Sequence, residues 1–267
     1  IFSKFNIEGV VHFAGLKSVG ESEINPIKYY KNNVYGSLIL FEEMQNANVK
    51  SIVFSSSATV YGPQINPLLN EEAILNPSNV YGKTKVVVEN ILSDLYKVKE
   101  DWNIVILRYF NPIGAHPSGL IGEVPIGMPN NIFPLINKVA SKEIDKLKIY
   151  GNDWNTIDGT AIRDYIHIMD LVDGHILAYE YIVKNKSQYL NINLGTGKGT
   201  SVLELVETFK RVNKIDVPYI FTKRRAGDLE KIFADCNLAN KLFGWKPKKD
   251  IMDMCKDGWR WQSHFFN

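Results

Sequence analysis

The sequence comprises 267 residues, 45% hydrophobic and 22% charged, with a formal net charge of +2 and a pI near 8.3. That content suits a large buried core, and so slight a charge supplies no field that would demand nucleic acid or a membrane surface. No run approaches a membrane-spanning length, and Cys236 and Cys255 have neither metal spacing nor the number a disulfide framework needs, so a soluble cytoplasmic protein without a metal is expected.

In chain order, Glu8-Gly9-Val10-Val11-His12-Phe13 reads as a short strand closed by Ala14-Gly15. Between Pro26 and Met44 the apolar residues Ile27, Tyr30, Val34, Leu38, Phe41 and Met44 fall on a helical stripe. A second strand, Ser51-Ile52-Val53-Phe54, ends in the hydroxyl run Ser55-Ser56-Ser57-Ala58-Thr59. A helix starts at Tyr81 and continues to Tyr96. A third strand, Asn103-Ile104-Val105-Ile106-Leu107, ends at Arg108-Tyr109-Phe110-Asn111-Pro112. Continuous apolar strands separated by helices indicate an α/β fold with a doubly wound parallel sheet. In such sheets ligands collect beyond the carboxyl ends of the strands, and all three ends here carry polar or catalytic residue types. After Pro112 a loop rich in Gly and Pro runs from Gly114 to Pro129 and the later elements are shorter and mixed, which places a domain boundary near residue 112. The chain opens at Ile1 rather than Met, within about a dozen residues of an apparent core strand, and reads as a fragment whose front is missing.

The residues with the clearest chemistry are Tyr81 and Lys85. Positions four apart on a helix lie on one face, about 5–6 Å apart at Cβ, so the phenol and the ammonium project into the same space. A fixed positive charge beside a phenol of pKa about 10 favours its ionised form, which suits an acid–base tyrosine. The same spacing recurs at Tyr219 and Lys223, but within the β-rich run Val217 to Thr222, where such positions sit about 13 Å apart. Ser57 is either a strand-end hydroxyl bonded to backbone or a catalytic group. The histidines lack metal spacing; His167 and His175 read as packing or capping residues.

His12-Phe13-Ala14-Gly15, Ser55 to Gly62, Tyr81-Gly82-Lys83-Thr84-Lys85 and Leu107 to Pro112 together resemble the extended short-chain dehydrogenase/reductases, and within them the UDP-glucose 4-epimerases. The likeness continues through Gly127 to Asn131, Asp158-Gly159-Thr160, Arg163 to His167, Asn193 to Gly197, Arg224 to Asp228 and Trp259 to Ser263, so it spans essentially the whole chain. It implies a Rossmann-like domain over 1–112, incomplete at its N-terminus, that binds NAD, and a smaller mixed α/β domain over 113–267 that binds a UDP-sugar. It further implies a homodimer that interconverts UDP-glucose and UDP-galactose, with hydride passing from carbon 4 to NAD and back to the other face. The family opens with a strand, a glycine-rich turn for the pyrophosphate and an acidic residue for the adenosine ribose, and none of these lies within the 267 residues. Gly195-Thr196-Gly197-Lys198-Gly199 imitates that turn, but it follows the catalytic helix, where the resemblance assigns a structural turn.

By the same resemblance Tyr81 is the acid–base group, Lys85 holds the nicotinamide ribose and lowers the phenol pKa, and Ser57 bridges phenol and sugar; all three contact cofactor, and Ser57 and Tyr81 contact sugar. Phe13, Ala14, Gly15, Leu16, Lys17, Asn32 and Phe110 complete the cofactor set. The nucleotide sugar falls to Phe110, Asn111, Asn131, Ile132, Arg163, Tyr165, Arg225 and Asp228, with Lys148, Ile149 and Tyr150 beside the uracil and Ile232 beside the sugar's 2-position. Plainer readings stand next to several of these: a surface Lys17, a core Phe110, and an Arg163 paired with Asp164 or Asp228. Two alternatives stay open for function. One is a cofactor-less UDP-sugar-binding protein. The other is a nucleotide-sugar dehydratase or decarboxylase, which needs carboxylates beside Thr59.

Overall fold

The apolar runs before residue 112 form the middle of a parallel sheet in a computed structural model that describes residues 1–98, 101–185, 187–225 and 227–266. The strands are β1 (Val10–His12), β2 (Ser51–Ser57), β3 (Leu68–Leu69), β4 (Asn103–Tyr109), β5 (Asn111–Ile113), β6 (Leu147–Tyr150), β7 (Ile162–Arg163), β8 (Tyr165–His167), β9 (Gln188–Leu194), β10 (Thr200–Ser201), β11 (Tyr219–Thr222) and β12 (Lys231–Ala234). The helices are α1 (Val19–Ile24), α2 (Pro26–Tyr29), α3 (Gly36–Asn46), α4 (Val80–Val98), α5 (Ile132–Ala140), α6 (Ile168–Lys184), α7 (Val202–Asn213), α8 (Asn237–Phe243) and α9 (Ile251–Phe266).

The main sheet has the order β1-β2-β4-β9, every neighbour parallel. Because side chains alternate across a strand, β2 and β4 supply two cores. Ile52, Phe54, Ile104 and Ile106 turn to Phe41 and Met44 of α3 and to Val88 and Leu92 of α4. Val53, Val105 and Leu107 turn to Leu171, Ala178 and Ile182 of α6 on the opposite face. Burial on both faces is why these strands read as unbroken apolar runs.

β9 and α6 both lie beyond residue 112, yet β9 pairs with β4 along its whole length and α6 covers one face of the sheet. The chain leaves the first layer at Pro112 and returns to it. The remaining strands form a β10-β7-β12-β3 sheet and the pairs β11-β6 and β5-β8, and a third core gathers around α5, α7 and α9. β3, although it precedes α4, pairs with β12 and stitches the two halves together.

The helix expected from Pro26 to Met44 is interrupted by a π-helical segment, Tyr30–Tyr35, between α2 and α3. Such bulges mark functional sites with some frequency, and this one sets Asn33 against the loop after β1.

Candidate active site

The first turn of α4 is pinned by side chains of α1. Tyr81 N donates to Ser22 Oγ at 3.1 Å and Val80 N to Glu23 Oε1 at 2.7 Å, which satisfies donors that a helix start leaves free. Tyr81 and Lys85 then point into one buried corner at the carboxyl ends of β2 and β4, at 8% and 5% exposure. Lys85 Nζ donates to Ser55 O at 2.6 Å and lies 4.7 Å from the Phe54 ring centroid and 5.9 Å from that of Tyr81. Ser57 Oγ accepts from Thr59 N at 3.3 Å, shares a 3.0 Å bond with Thr59 Oγ1, and reaches the Tyr81 phenol.

The electrostatics differ from what the spacing suggests. Burial pushes the Tyr81 phenol up, the neighbouring Tyr109 adds to that, and only the Ser57 hydrogen bond opposes it. In the protein alone, desolvation is the largest influence on the phenol. Burial lowers the Lys85 ammonium to about 8, against the pull of Glu89 one turn further along α4.

The loop after β1 lies across this corner. Asn33 grips its backbone twice: Oδ1 accepts from Leu16 N at 2.7 Å and Nδ2 donates to Leu16 O at 2.9 Å, with a further bond to Thr84 Oγ1 at 3.2 Å. A Cβ at Gly15 would stand 3.6 Å from Lys85 Nζ, so the loop backbone and the ammonium line one space. Phe13 and Ala14 are exposed on the same loop. Asn32 is exposed and spends its amide on Asn33 Oδ1, while Lys17 pairs with Glu123 of the loop that follows β5. Asn33, not singled out by sequence, is the residue that shapes the loop; its place beside Asn32 was the available signal.

Beneath Lys85 lies a buried polar network that sequence reasoning missed. Arg108 donates to both oxygens of Glu89, with Nη2 to Oε2 at 2.6 Å, and Ser56 Oγ donates to Oε1 at 2.5 Å. Arg108 Nη1 continues to Tyr61 OH and Glu71 O, Tyr61 donates to Asn193 Oδ1 at 2.6 Å, and Glu71 Oε1 accepts from Asn193 N. The spacing Tyr81, Lys85, Glu89 on one helix face hinted at it; the partner Arg108 comes from another strand.

The second group of predicted residues converges beyond the ends of β5, β7 and β12. Arg163 Nη2 lies 3.9 Å from Asp228 Oδ1, Arg225 Nε donates to Asp228 Oδ2 at 3.0 Å, and the Arg225 guanidinium sits 4.7 Å over the Tyr150 ring. Two guanidinium groups against one carboxylate leave this cluster formally positive. Arg163 is pushed down from its ordinary value by burial, and Arg225 adds to that while Tyr165 and Asp228 oppose it. Asp164 is not the partner of Arg163: fully buried, its carboxylate accepts from Thr196 N, Thr196 Oγ1, Gly197 N and Ala234 N. Those bonds make Asn193 to Gly197 a structural turn between β9 and β10 and hold β12 in place.

Asn111 pairs with Tyr165 in the β5–β8 register, and Asn111 N donates to Asp164 O. Ile232, opposite Arg163 in the β12–β7 register, packs with Ala58, Phe110 and Ala234. Ile149 is buried, the Lys148 side chain is exposed, Ile132 is half-buried at the start of α5, and Asn131 is its exposed N-cap without a capping hydrogen bond.

A family model described as GDP-mannose 4,6 dehydratase matches residues 1–258. The UDP-glucose 4-epimerase of Bacillus subtilis (strain 168) is 50% identical over 268 residues, covering 100% of this chain and 78% of its own. Among solved structures, UDP-glucose 4-epimerase from Stenotrophomonas maltophila, crystallised with NAD and formylated UDP-arabinopyranose, superposes with a TM-score of 0.95 at 45% identity over 97% of this chain and 77% of its own. The enzyme from Bifidobacterium longum, in complex with NAD+ and UDP, gives 0.94 at 45% identity over 98% and 78%.

Proposed function

Because the chain belongs to the UDP-glucose 4-epimerase family of extended short-chain dehydrogenase/reductases, we propose that it interconverts UDP-glucose and UDP-galactose by NAD-dependent oxidation and reduction at carbon 4 of the sugar. The observation that carries this reading is the joint burial of Tyr81, Lys85 and Ser57 at the end of a parallel sheet, with the positive Arg163–Arg225–Asp228 cluster placed to take a diphosphate. The dehydratase alternative lacks support at the strand end. Ala58, Thr59 and Val60 follow Ser57 without a carboxylate, and the acids behind them, buried Glu89 and half-buried Glu71, are occupied by Arg108 and by Asn193 N. Incubating the purified enzyme with UDP-galactose and following UDP-glucose by chromatography tests the reading.

The residues fit NAD. An ammonium has three donors, and Lys85 uses one on Ser55 O, so a buried cation faces the Gly15 backbone with donors to spare for ribose hydroxyls. Phe13, Ala14, Gly15, Leu16, Lys17, Asn32, Phe110, Ser57, Tyr81 and Lys85 would hold it. When bound, the cofactor supplies a hydride acceptor and donor at carbon 4. Tyr81, as phenolate, would take the proton of the 4-hydroxyl and later return it, Ser57 would link hydroxyl and phenol, and the Lys85 charge would favour the phenolate against the burial that opposes it. Asn111, Asn131, Ile132, Tyr165, Arg163, Arg225 and Asp228 hold the nucleotide sugar, with Lys148, Ile149 and Tyr150 at the uracil. Residues 1–112 thus hold the cofactor and supply Ser57, Tyr81, Phe110 and Asn111 to the sugar, and 113–267 supply the other sugar-binding groups, with α6 and β9 returning to complete the first layer.

The homodimer and the cytoplasmic location belong to the same proposal. Tyr35, Leu38, Ile39 and Val98 are exposed along α3, α4 and the turn before α3, and an apolar groove lined by Ile91, Leu95 and Val98 runs beside them, a face suited to a second copy. Sedimentation of the enzyme is expected to give twice the subunit mass. Cys236 and Cys255 are free thiols, which fits a reducing compartment.

Sugar choice is set at Ile232. It is 9% exposed against Ala58 and Phe110, and its β-branched side chain has little freedom at χ1. An N-acetyl group at the 2-position meets it, and displacing a sugar by an ångström costs on the order of 10²-fold in rate. UDP-galactose is expected to exceed UDP-N-acetylgalactosamine in kcat/KM by about that factor, and Ile232→Cys to narrow the gap. Equal values in the parent, or no gain in the variant, would show that the gate lies elsewhere.

A further inference from the structure

Ser55 connects the catalytic corner to the far face of the sheet. Its carbonyl accepts from Lys85 Nζ at 2.6 Å, and its hydroxyl lies 3.1 Å from Nε2 of His175. Alternation along β2 sends Ser56 to Glu89 on the α4 side and Ser55 to His175, which comes from α6 and is 4% exposed. The other ring nitrogen, Nδ1, lies 2.9 Å from Leu171 O, an atom that only accepts, so Nδ1 carries the proton and Nε2 is left to accept from the Ser55 hydroxyl. The same ring packs on Phe13 of the loop after β1, centroids 4.7 Å apart, and on Tyr109 at 5.9 Å.

From this geometry we propose that neutral His175 is a positioning residue, fixing Ser55 at the end of β2 and Phe13 in the cofactor loop, and through them the Lys85 ammonium. The inference rests on the reading that Lys85 and residues 13–17 serve the cofactor. A protonated imidazole has two donors and no acceptor, so protonation reverses the bond, with the Ser55 oxygen accepting from Nε2–H and its hydroxyl proton turned away from the ring, and adds a second buried cation across Ser55 from Lys85. Burial already holds His175 below the ordinary imidazole value. The groups facing it are the Tyr109 phenol from β4, Ser55 with Lys85 behind it, and Phe13. On its own helix, Asp170 is taken by the Lys248 and Lys249 N–H groups and Asp173 by Lys248 Nζ, so neither carboxylate rescues the cation.

The test follows turnover from about pH 5 to about pH 8 in the parent, His175→Phe and Ser55→Ala, together with nitrogen NMR of the His175 ring. The parent should show the Nδ1–H tautomer and lose activity as the pH falls through a value below 6.5. His175→Phe keeps a ring against Phe13 but no acceptor. It should be about tenfold slower at neutral pH, a hydrogen bond's worth, and should lack that acid limb, whereas Ser55→Ala, which keeps the imidazole but not the bond, should show it weakened. An identical acid limb in all three proteins, or an Nε2–H tautomer in the parent, overturns the proposal; should His175→Phe fail to fold, Ser55→Ala reads the same limb. Tyr81→Phe assayed alongside separates the two failures, since near-normal turnover there removes the functional reading while the tautomer is decided by NMR alone.

Discussion

Replacing Tyr81 by phenylalanine in the active enzyme is expected to lower turnover by about 10²–10⁴ while leaving UDP affinity within about a factor of two, because only proton transfer is removed. The phenol is 8% exposed and its ring packs in the corner formed with Ser57 and Lys85, so the variant keeps the packing and loses one oxygen. That oxygen is costly to ionise in the protein alone, since burial raises its pKa and Ser57 only partly offsets the rise. Catalysis therefore depends on positive charge gathered beside it, and Lys85→Met should slow turnover as well. Turnover within about threefold of the parent in Tyr81→Phe would move the acid–base role elsewhere, with Ser57 next in line.

Arg108→Met is expected to destabilise the fold by about 3–5 kcal/mol, because it strands the Glu89 carboxylate inside the protein. The two side chains are 4% and 3% exposed, and three hydrogen bonds join them. Total stability of a domain is about 5–15 kcal/mol, so the loss should lower the melting temperature by on the order of 10 °C or abolish folding. Pairing Arg108→Met with Glu89→Leu should recover a large part of the loss, since no charge is then left unpaired, although Ser56 and Tyr61 still lose a partner. A single variant that melts within about 2 °C of the parent would show that water reaches Glu89.

The parallel sheet and the Tyr81 corner were legible in the sequence for a physical reason. Ile52 to Phe54 of β2 and Ile104 to Leu107 of β4 are buried on both faces, so those stretches had to be apolar, and Tyr81 and Lys85 sit on one helix, so a local period places them together. What stayed hidden depends on contacts between distant segments. Glu89 and Arg108 meet across a helix and a strand, Asn33 reaches Leu16 through a π-helical turn, and β9 returns to a sheet that the break at Pro112 suggested was finished. The upward push on the phenol in the protein alone is hidden for a related reason: spacing gives the distance between two side chains, whereas burial, which dominates here, is a property of the whole packed corner. Of the two carboxylates that the sequence offers Arg163, alternation puts Asp164 into the interior among four backbone and hydroxyl donors and leaves Arg163 facing Asp228.

The central claim is that carbon 4 of the sugar is oxidised and re-reduced within one closed site, with Tyr81 handling only the hydroxyl proton. Converting UDP-galactose that carries deuterium at carbon 4, and reading the isotope in the UDP-glucose formed by mass spectrometry and NMR, tests it most directly. Deuterium retained at carbon 4 is the predicted result, because hydride leaves and returns without meeting water. Deuterium lost to solvent would mean that carbon 4 gives up a proton instead, and would contradict the account.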